Sequence, residues 1–325
     1  MTQFVIERAL LTDVGRKRSH NEDYVGQFEP ADPDELAASG RLYIVADGVA
    51  GGAAGEIASK YAVKKILYEY YRATEPDLGR RLKAVVRAAN ADLFDYVEQR
   101  PELGRMGTTL VAVVVHGDEL VVCNVGDSRA YLIRDREIHQ ITRDHSLVAK
   151  LVEEGSITPE EAKTHPRRNV VLRSLGIDAK VNPDIFDGDL RVQDRILLCS
   201  DGLMRHVSDD EILGMVTRTG TEQAVEELVD LANVRGGRDN ISVVLLHLTE
   251  VHSSPARLIE GAGRTIPAEP EFDDLDDTEI RRRPVDATRR SPWRLWPGRS
   301  LTQNTRPTGT AYGIRPTVAA PRHRM

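Results

Sequence analysis

Two periodicities alternate along the first 248 residues. Val5 to Leu11 and Leu42 to Ala46 are short, apolar and partly alternating, which predicts strands. From Gly55 to Arg72, the residues Ala58, Ala62, Ile66 and Tyr70 stand four apart on one helical face. Leu82, Val85, Val86, Ala89, Leu93, Tyr96 and Val97 repeat that signature. Three strands are predicted next, Thr108 to His116, Leu120 to Val125 and Ala130 to Ile133, with Gly117-Asp118 as the turn of a hairpin. His145 to Glu153 and Thr158 to Thr164 predict short helices, the second opened by Thr158, Pro159 and Glu160. Arg195 to Cys199 predicts a buried strand. Ser208 with Glu211 predicts a capping box, Thr221 to Val234 an amphipathic helix, and Ser242 to Leu248 a closing strand. Helix pairs separated by hairpin-connected strands imply sheets packed on one another with helices outside. No internal repeat is visible.

The pattern stops near residue 250. From Ser253 on, Pro, Arg and Thr dominate, with 13 Arg and no Lys against 9 acidic residues. Such a segment buries too little apolar surface to offset its ordering entropy, so the expected organisation is a domain at 1–250 and a disordered Arg/Pro-rich tail at 251–325. After Glu279 the tail has eleven arginines and one acid, Asp286, around Trp293-Arg294-Leu295-Trp296. This basic segment is expected to dock on an acidic surface of a partner or of the chain's own domain.

Composition narrows the function classes. The first 252 residues carry 31 basic and 42 acidic side chains, which disfavours nucleic acid as the main partner. The two cysteines, Cys123 and Cys199, lie in apolar strand-like runs and read as buried hydrophobes in a reducing compartment. The start shows no basic-then-apolar signal and no apolar run has the length of a membrane span. A soluble, cytoplasmic, monomeric protein is expected.

Four aspartates carry the chemistry: Asp23, Asp47, Asp201 and Asp239. Each sits where a short turn meets an apolar stretch, and Asp47 and Asp201 directly follow strand-like runs and precede a glycine. A single Asp-Gly usually marks only a turn. Four converging carboxylates repel one another unless they surround a hard divalent cation. Asp47, next to the accessible Gly48 carbonyl, is the best candidate to bridge two ions; Asp201 and Asp239 complete one ion's shell, and Glu22 and Asp23 hold its waters. Such a centre activates water and clamps an in-line displacement at phosphorus. Arg18, four residues before Glu22, is placed to hold a phosphate in bidentate fashion. His116, His139 and His165 are scattered without zinc-like spacing, and no nucleophile motif appears.

Seven segments together resemble the metal-dependent serine/threonine protein phosphatases of the type 2C (PPM) family in their bacterial form. They are Thr12 to Asp23, Val45-Ala46-Asp47-Gly48 with Gly55 to Ser59, Met106-Gly107-Thr108-Thr109, and Val125 to Tyr131. Thr142 to Ser146, Ser200-Asp201-Gly202-Leu203 and Gly236 to Ser242 complete the set. The resemblance spans roughly residues 4 to 250. It implies an α+β fold, a four-layer α-β-β-α sandwich of two mainly antiparallel sheets flanked by helix pairs. It implies Mn²⁺ or Mg²⁺, with Asp47 bridging two ions, the Gly48 carbonyl on the first, and Asp201 and Asp239 on the second. A third, weaker ion would use Asp127 with Asp201. Arg18 corresponds to the phosphate-contacting arginine, and Asp144 to Gly176 to a mobile flap. The implied substrates are proteins phosphorylated on serine or threonine, opposing bacterial Ser/Thr kinases.

The chain also departs from the pattern. Val49 stands where animal members carry a proposed general-acid histidine, so a metal-bound water, or no donor, protonates the leaving group. Ala50 replaces the first glycine of a Gly-Gly pair, and Arg205-His206 is unusual, either altering the local field or, as expected, lying at the surface. Two rivals are a catalytically silent scaffold and a small-molecule phosphomonoesterase. The intact Asp47, Asp201, Asp239 and Arg18 speak against the scaffold.

Overall fold

The computed structural model describes residues 4–49, 53–100, 104–249, 267, 269–270 and 315–316. The elements in chain order begin with β1 (Val5–Asp13), β2 (Asp23–Phe28), α1 (Pro33–Ser39), β3 (Arg41–Val49), α2 (Ala53–Tyr70) and α3 (Leu78–Glu98). There follow β4 (Gly107–Thr108), β5 (Leu110–His116), β6 (Glu119–Val125), β7 (Arg129–Arg134), β8 (Glu137–Gln140), α4 (Leu147–Glu153) and α5 (Pro159–Thr164). The chain continues through β9 (Asp184–Asp189), β10 (Arg195–Cys199), α6 (Asp201–Met204), α7 (Asp209–Arg218), α8 (Thr221–Val234), β11 (Ile241–Thr249) and β12 (Arg315–Pro316).

The strands form two antiparallel sheets, ordered β1-β11-β10-β7-β8 and β12-β9-β6-β5-β3-β2, with β4 added to the end of β3. Strand alternation sorts the side chains into three cores, and three cores separate four layers. Along β3, Leu42, Ile44 and Ala46 face α2 and α3, while Tyr43 and Val45 face the other sheet. Along β10, Ile196 and Leu198 meet that middle core, and Leu197 and Cys199 pack under α7 and α8. The expected α-β-β-α sandwich is the architecture observed, and helix pairs α2/α3 and α7/α8 form its outer layers. Both cysteines are buried.

The sequence pattern missed α1, β2, β8 and β9. The strands Asp23-Tyr-Val-Gly-Gln-Phe28 and Asp184-Ile-Phe-Asp-Gly-Asp189 mix acids and glycine into short runs, so their pairing comes from neighbours, not from propensity. The predicted strand Thr108 to His116 is two elements, because Thr108 pairs with Gly48 and with Leu175 before β5 begins. Capping was legible: Thr158 and Glu161 close a capping box on α5, and Glu211 accepts from the Ser208 amide at 3.0 Å on α7.

Most of the predicted disordered tail lies outside the described residues. Of the described ones, Glu269 meets Lys65 and Tyr68 of α2, and Arg315 pairs with Asp187 on β9. Among the described residues no helix is long and apolar enough to cross a membrane.

One buried ion pair ties the sheets together. Arg134, at the end of β7, donates to Asp194 at 2.8 and 2.5 Å and to the Asp189 carbonyl at 2.7 Å, and both side chains are buried. Removing the carboxylate strands a buried guanidinium. We expect Asp194→Ala to cost roughly 3–5 kcal/mol in denaturant unfolding; a loss below about 0.5 kcal/mol, typical of surface sites, would contradict this role.

Candidate metal centre

All seven sequence motifs meet at one end of the sandwich. Asp47 lies near the end of β3, directly opposite Asp23 at the start of β2. Asp201 opens α6 just after β10, Asp127 lies in the β6–β7 connection, and Asp239 lies in the α8–β11 connection. Arg18 lies between β1 and β2. Side-chain amides and hydroxyls hold these loops in register. Asn240 is central: its Nδ2 donates to the Val14 and His20 carbonyls, and its Oδ1 accepts from the Glu22 amide at 2.8 Å. The Glu22 carbonyl in turn accepts from the Gly48 amide and from Ser59 Oγ. Thr108 Oγ1 and the Thr109 amide both donate to the Asp47 carbonyl, and Thr109 Oγ1 meets Ser128 Oγ at 2.7 Å. The motifs thus brace the backbone on which the aspartates stand.

Two glycines are required by space. A Cβ on Gly48 would lie 2.5 Å from the Gly55 carbonyl oxygen and 2.7 Å from that of Glu22. A Cβ on Gly202 would lie 1.9 Å from the Asn240 oxygen, so no side chain fits between Asp201 and the Asp239 loop. The substitution at Ala50 and the glycines Gly51 and Gly52 lie outside the described residues.

The Thr142–Ser146 motif anchors the flap. The Gly126 amide donates to His145 Nδ1 at 3.1 Å, which leaves the ring's Nε2 proton for Asp184 Oδ2 at 3.1 Å. Arg173 joins Asp184 at 2.9 Å, and Asp144 pairs with Arg129 at 2.7 Å. Hydrogen bonding from His145 holds the Asp184 carboxyl below its ordinary range. His145 therefore links β9, the flap and the Asp127 loop, a role its sequence spacing did not signal.

The electrostatics are unfavourable for carboxylates alone. Asp23 and Asp127 are buried, and burial pushes each up to about 7, with neighbouring aspartates adding to the shift; for Asp23, hydrogen bonds from Ser242 and Ser200 oppose it. Burial also raises Asp47 well above its usual range, reinforced by Asp23, Asp201, Asp127 and Asp239. Asp201 is raised by burial and by Asp239, with Arg205 opposing. Cross-strand like charges such as Asp23 and Asp47 destabilise a ladder.

Two arginines offset this charge. Arg18 Nη2 lies 2.9 Å from Asp239 Oδ1, and its Nη1 lies 3.6 Å from Glu22 Oε1. Arg205 was expected at the surface, and it is exposed there, yet its guanidinium reaches back to two of the aspartates. Its Nη2 pairs with Asp201 Oδ2 and its Nη1 with Asp239 Oδ2 at 3.1 Å, leaving the side chain 27% exposed. Burial works against the Arg205 cation, yet Asp201 and Asp239 outweigh it and hold its pKa up. The i, i+4 spacing from Asp201 to Arg205 on a helix was the available signal. His206 is half-buried, and its ring sits 3.3 Å from the Arg238 amide.

The residues fit a hard divalent cation. Among the described residues no three acidic, imidazole or thiol groups stand in ready-made ligand positions, because Arg205 engages two of the carboxylates. The donors nevertheless are hard oxygens, the Asp23 Oδ1 and Asp201 Oδ1 atoms are buried without a hydrogen-bond partner, and the cluster carries more negative charge than two guanidinium groups balance.

Comparison with known proteins agrees. The family model for protein phosphatase 2C matches residues 17–245. The serine/threonine phosphatase stp of Listeria monocytogenes is 39% identical over 242 residues, covering 72% of this chain and 93% of the relative. The serine/threonine protein phosphatase PstP of Mycobacterium tuberculosis is 39% identical over 246 residues, covering 76% of this chain but 46% of that longer relative. A crystal structure of the catalytic domain of PstP in complex with two manganese ions superposes with a TM-score of 0.67 at 37% identity, covering 76% of this chain and 100% of that domain. The chain therefore belongs to the type 2C protein phosphatases, the metal-dependent serine/threonine phosphatases.

Proposed function

We propose that residues 1–250 hydrolyse phosphoserine and phosphothreonine in proteins, using Asp47 and the Gly48 carbonyl to hold one divalent ion and Asp47, Asp201 and Asp239 to hold a second. The observation that carries this reading is the convergence of five buried or nearly buried aspartates, balanced among the described residues by Arg18 and Arg205. Asp127 with Asp201 offers a third, weaker site, and Asp23 and Glu22 orient waters around the centre. When bound, Mn²⁺ or Mg²⁺ supplies an acidified water and neutralises charge on the phosphoryl group. Arg18, 43% exposed and fixed between Asp239 and Glu22, is the cation that would hold the phosphate oxygens. Val49 can hold or donate no proton at the leaving group, which would take one from a water held at the centre or leave without a donor. Burial disfavours a cysteine phosphoenzyme, since it raises the pKa of both thiols. The biological reading is a monomeric, cytoplasmic enzyme opposing Ser/Thr kinases.

Asp201→Asn or Asp239→Asn should remove most metal-dependent turnover of phosphothreonine peptides, because each loses a charged ligand. Full turnover by the double variant, or activity indifferent to chelator, contradicts the assignment. A phosphate clamp acts in ground and transition states alike, so Arg18→Ala should raise KM with a modest fall in kcat. A collapse of kcat at unchanged KM would place Arg18 elsewhere. The backbone pairing of Arg315 and Pro316 with β9 supports docking of the basic segment on its own domain, whereas the acidic Glu269, which meets Lys65 and Tyr68, lies before that segment. Truncation after residue 252 should leave small-peptide hydrolysis intact while changing partner binding at low salt. Identical behaviour of both forms at every salt concentration makes the tail a linker only.

A further inference from the structure

Arg205 does something the phosphate clamp does not. Arg18 touches one of the aspartates assigned to the second ion, but Arg205 touches both, through separate nitrogens of one planar fork. It occupies Oδ2 of Asp201 and Oδ2 of Asp239, leaving Asp201 Oδ1 buried without a partner. The fork is held by local geometry. Arg205 caps α6 with its amide on the Asp201 carbonyl, and Gly202 packs α6 against the Asn240 carbonyl of the neighbouring loop. Yet the guanidinium is not sealed in. At 27% side-chain exposure it has a route to solvent, and three rotatable methylenes let it swing out without moving the backbone.

A guanidinium and a divalent cation need the same carboxylate lone pairs, so they cannot hold these oxygens together. Asp47 feels Arg205 only at a distance and makes no hydrogen bond with it, so the competition falls on the ions held by Asp201 and Asp239 and spares the one held by Asp47 and the Gly48 carbonyl. We propose that Arg205 is a built-in counter-cation that exchanges with the metal at Asp201 and Asp239 and thereby sets the affinity of that site. This rests on the proposed assignment of Asp201 and Asp239 as metal ligands. The guanidinium holds the two carboxylates in one place, and it would give way to an ion bound by them.

The test is calorimetric titration of Mn²⁺ into the full-length protein, alongside Arg205→Ala and Arg205→Lys, with melting temperatures in chelator and in saturating Mn²⁺. Arg205→Ala should tighten the Asp201/Asp239 step by about tenfold, or about 1.4 kcal/mol, and leave the Asp47 step unchanged. Lysine keeps the charge but loses the fork, so it should fall between. In chelator the alanine protein should melt lower than wild type, and Mn²⁺ should raise its melting point by more. If it does not fold in chelator, the lysine variant carries the same comparison. In the Asp239→Asn background the gain from Arg205→Ala should shrink. Equal or weaker Mn²⁺ affinity in both Arg205 variants overturns the proposal while leaving the phosphatase reading intact. A wild-type protein that binds no Mn²⁺ overturns both.

Discussion

Repulsion among buried carboxylates is the constraint around which this molecule is organised. Asp23 and Asp47 face each other across β2 and β3, while Asp127 is raised by burial, Asp201 and Asp144, and Asp201 by burial and Asp239. Left to itself, such a cluster would splay or protonate. It persists because each aspartate is attached to a braced element: a strand end inside a core, a helix start, or a loop pinned by hydrogen bonds such as those of Gly126 and Asn240. Asn240 reaches three backbone segments at once, and Ser200 accepts from the Ser242 amide while donating to Asp23 Oδ2 at 2.7 Å. The sandwich supplies rigidity and cation binding supplies the compensating charge.

That division explains why three apolar cores serve one polar end. The middle core fixes the spacing of β3 and β10, hence of Asp47 and Asp201. The core under α7 and α8 fixes the loop that carries Asp239. Asp127 is fixed from the flap side through Gly126 and His145. A small shift in any sheet would therefore reach the aspartates, which is the setting in which hydrogen-bonded loops, not flexible ones, hold a charged site.

Much of this was legible in the sequence. The Asp-Gly turns after apolar runs identified Asp47 and Asp201, and strand and helix periodicities gave most of the layered architecture. What escaped was tertiary in origin. β2 and β9 have weak propensity and form because β3 and β6 offer them edges. The hub at His145 joins residues 39 apart in sequence to Asp184, so no local spacing announces it. Arg205 was readable as an i, i+4 partner of Asp201, but not as a partner of Asp239, which lies 34 residues on and is brought near by the packing of Gly202.

The central claim is that the converged aspartates hold divalent cations. Crystals grown with Mn²⁺ and measured at a wavelength where manganese scatters anomalously test it most directly. The account predicts two strong anomalous peaks, one touching Asp47 and the Gly48 carbonyl and one touching Asp47, Asp201 and Asp239, with Arg205 turned away from both carboxylates. Absence of anomalous density there, with Arg205 still paired to Asp201 and Asp239 at saturating Mn²⁺, would contradict it.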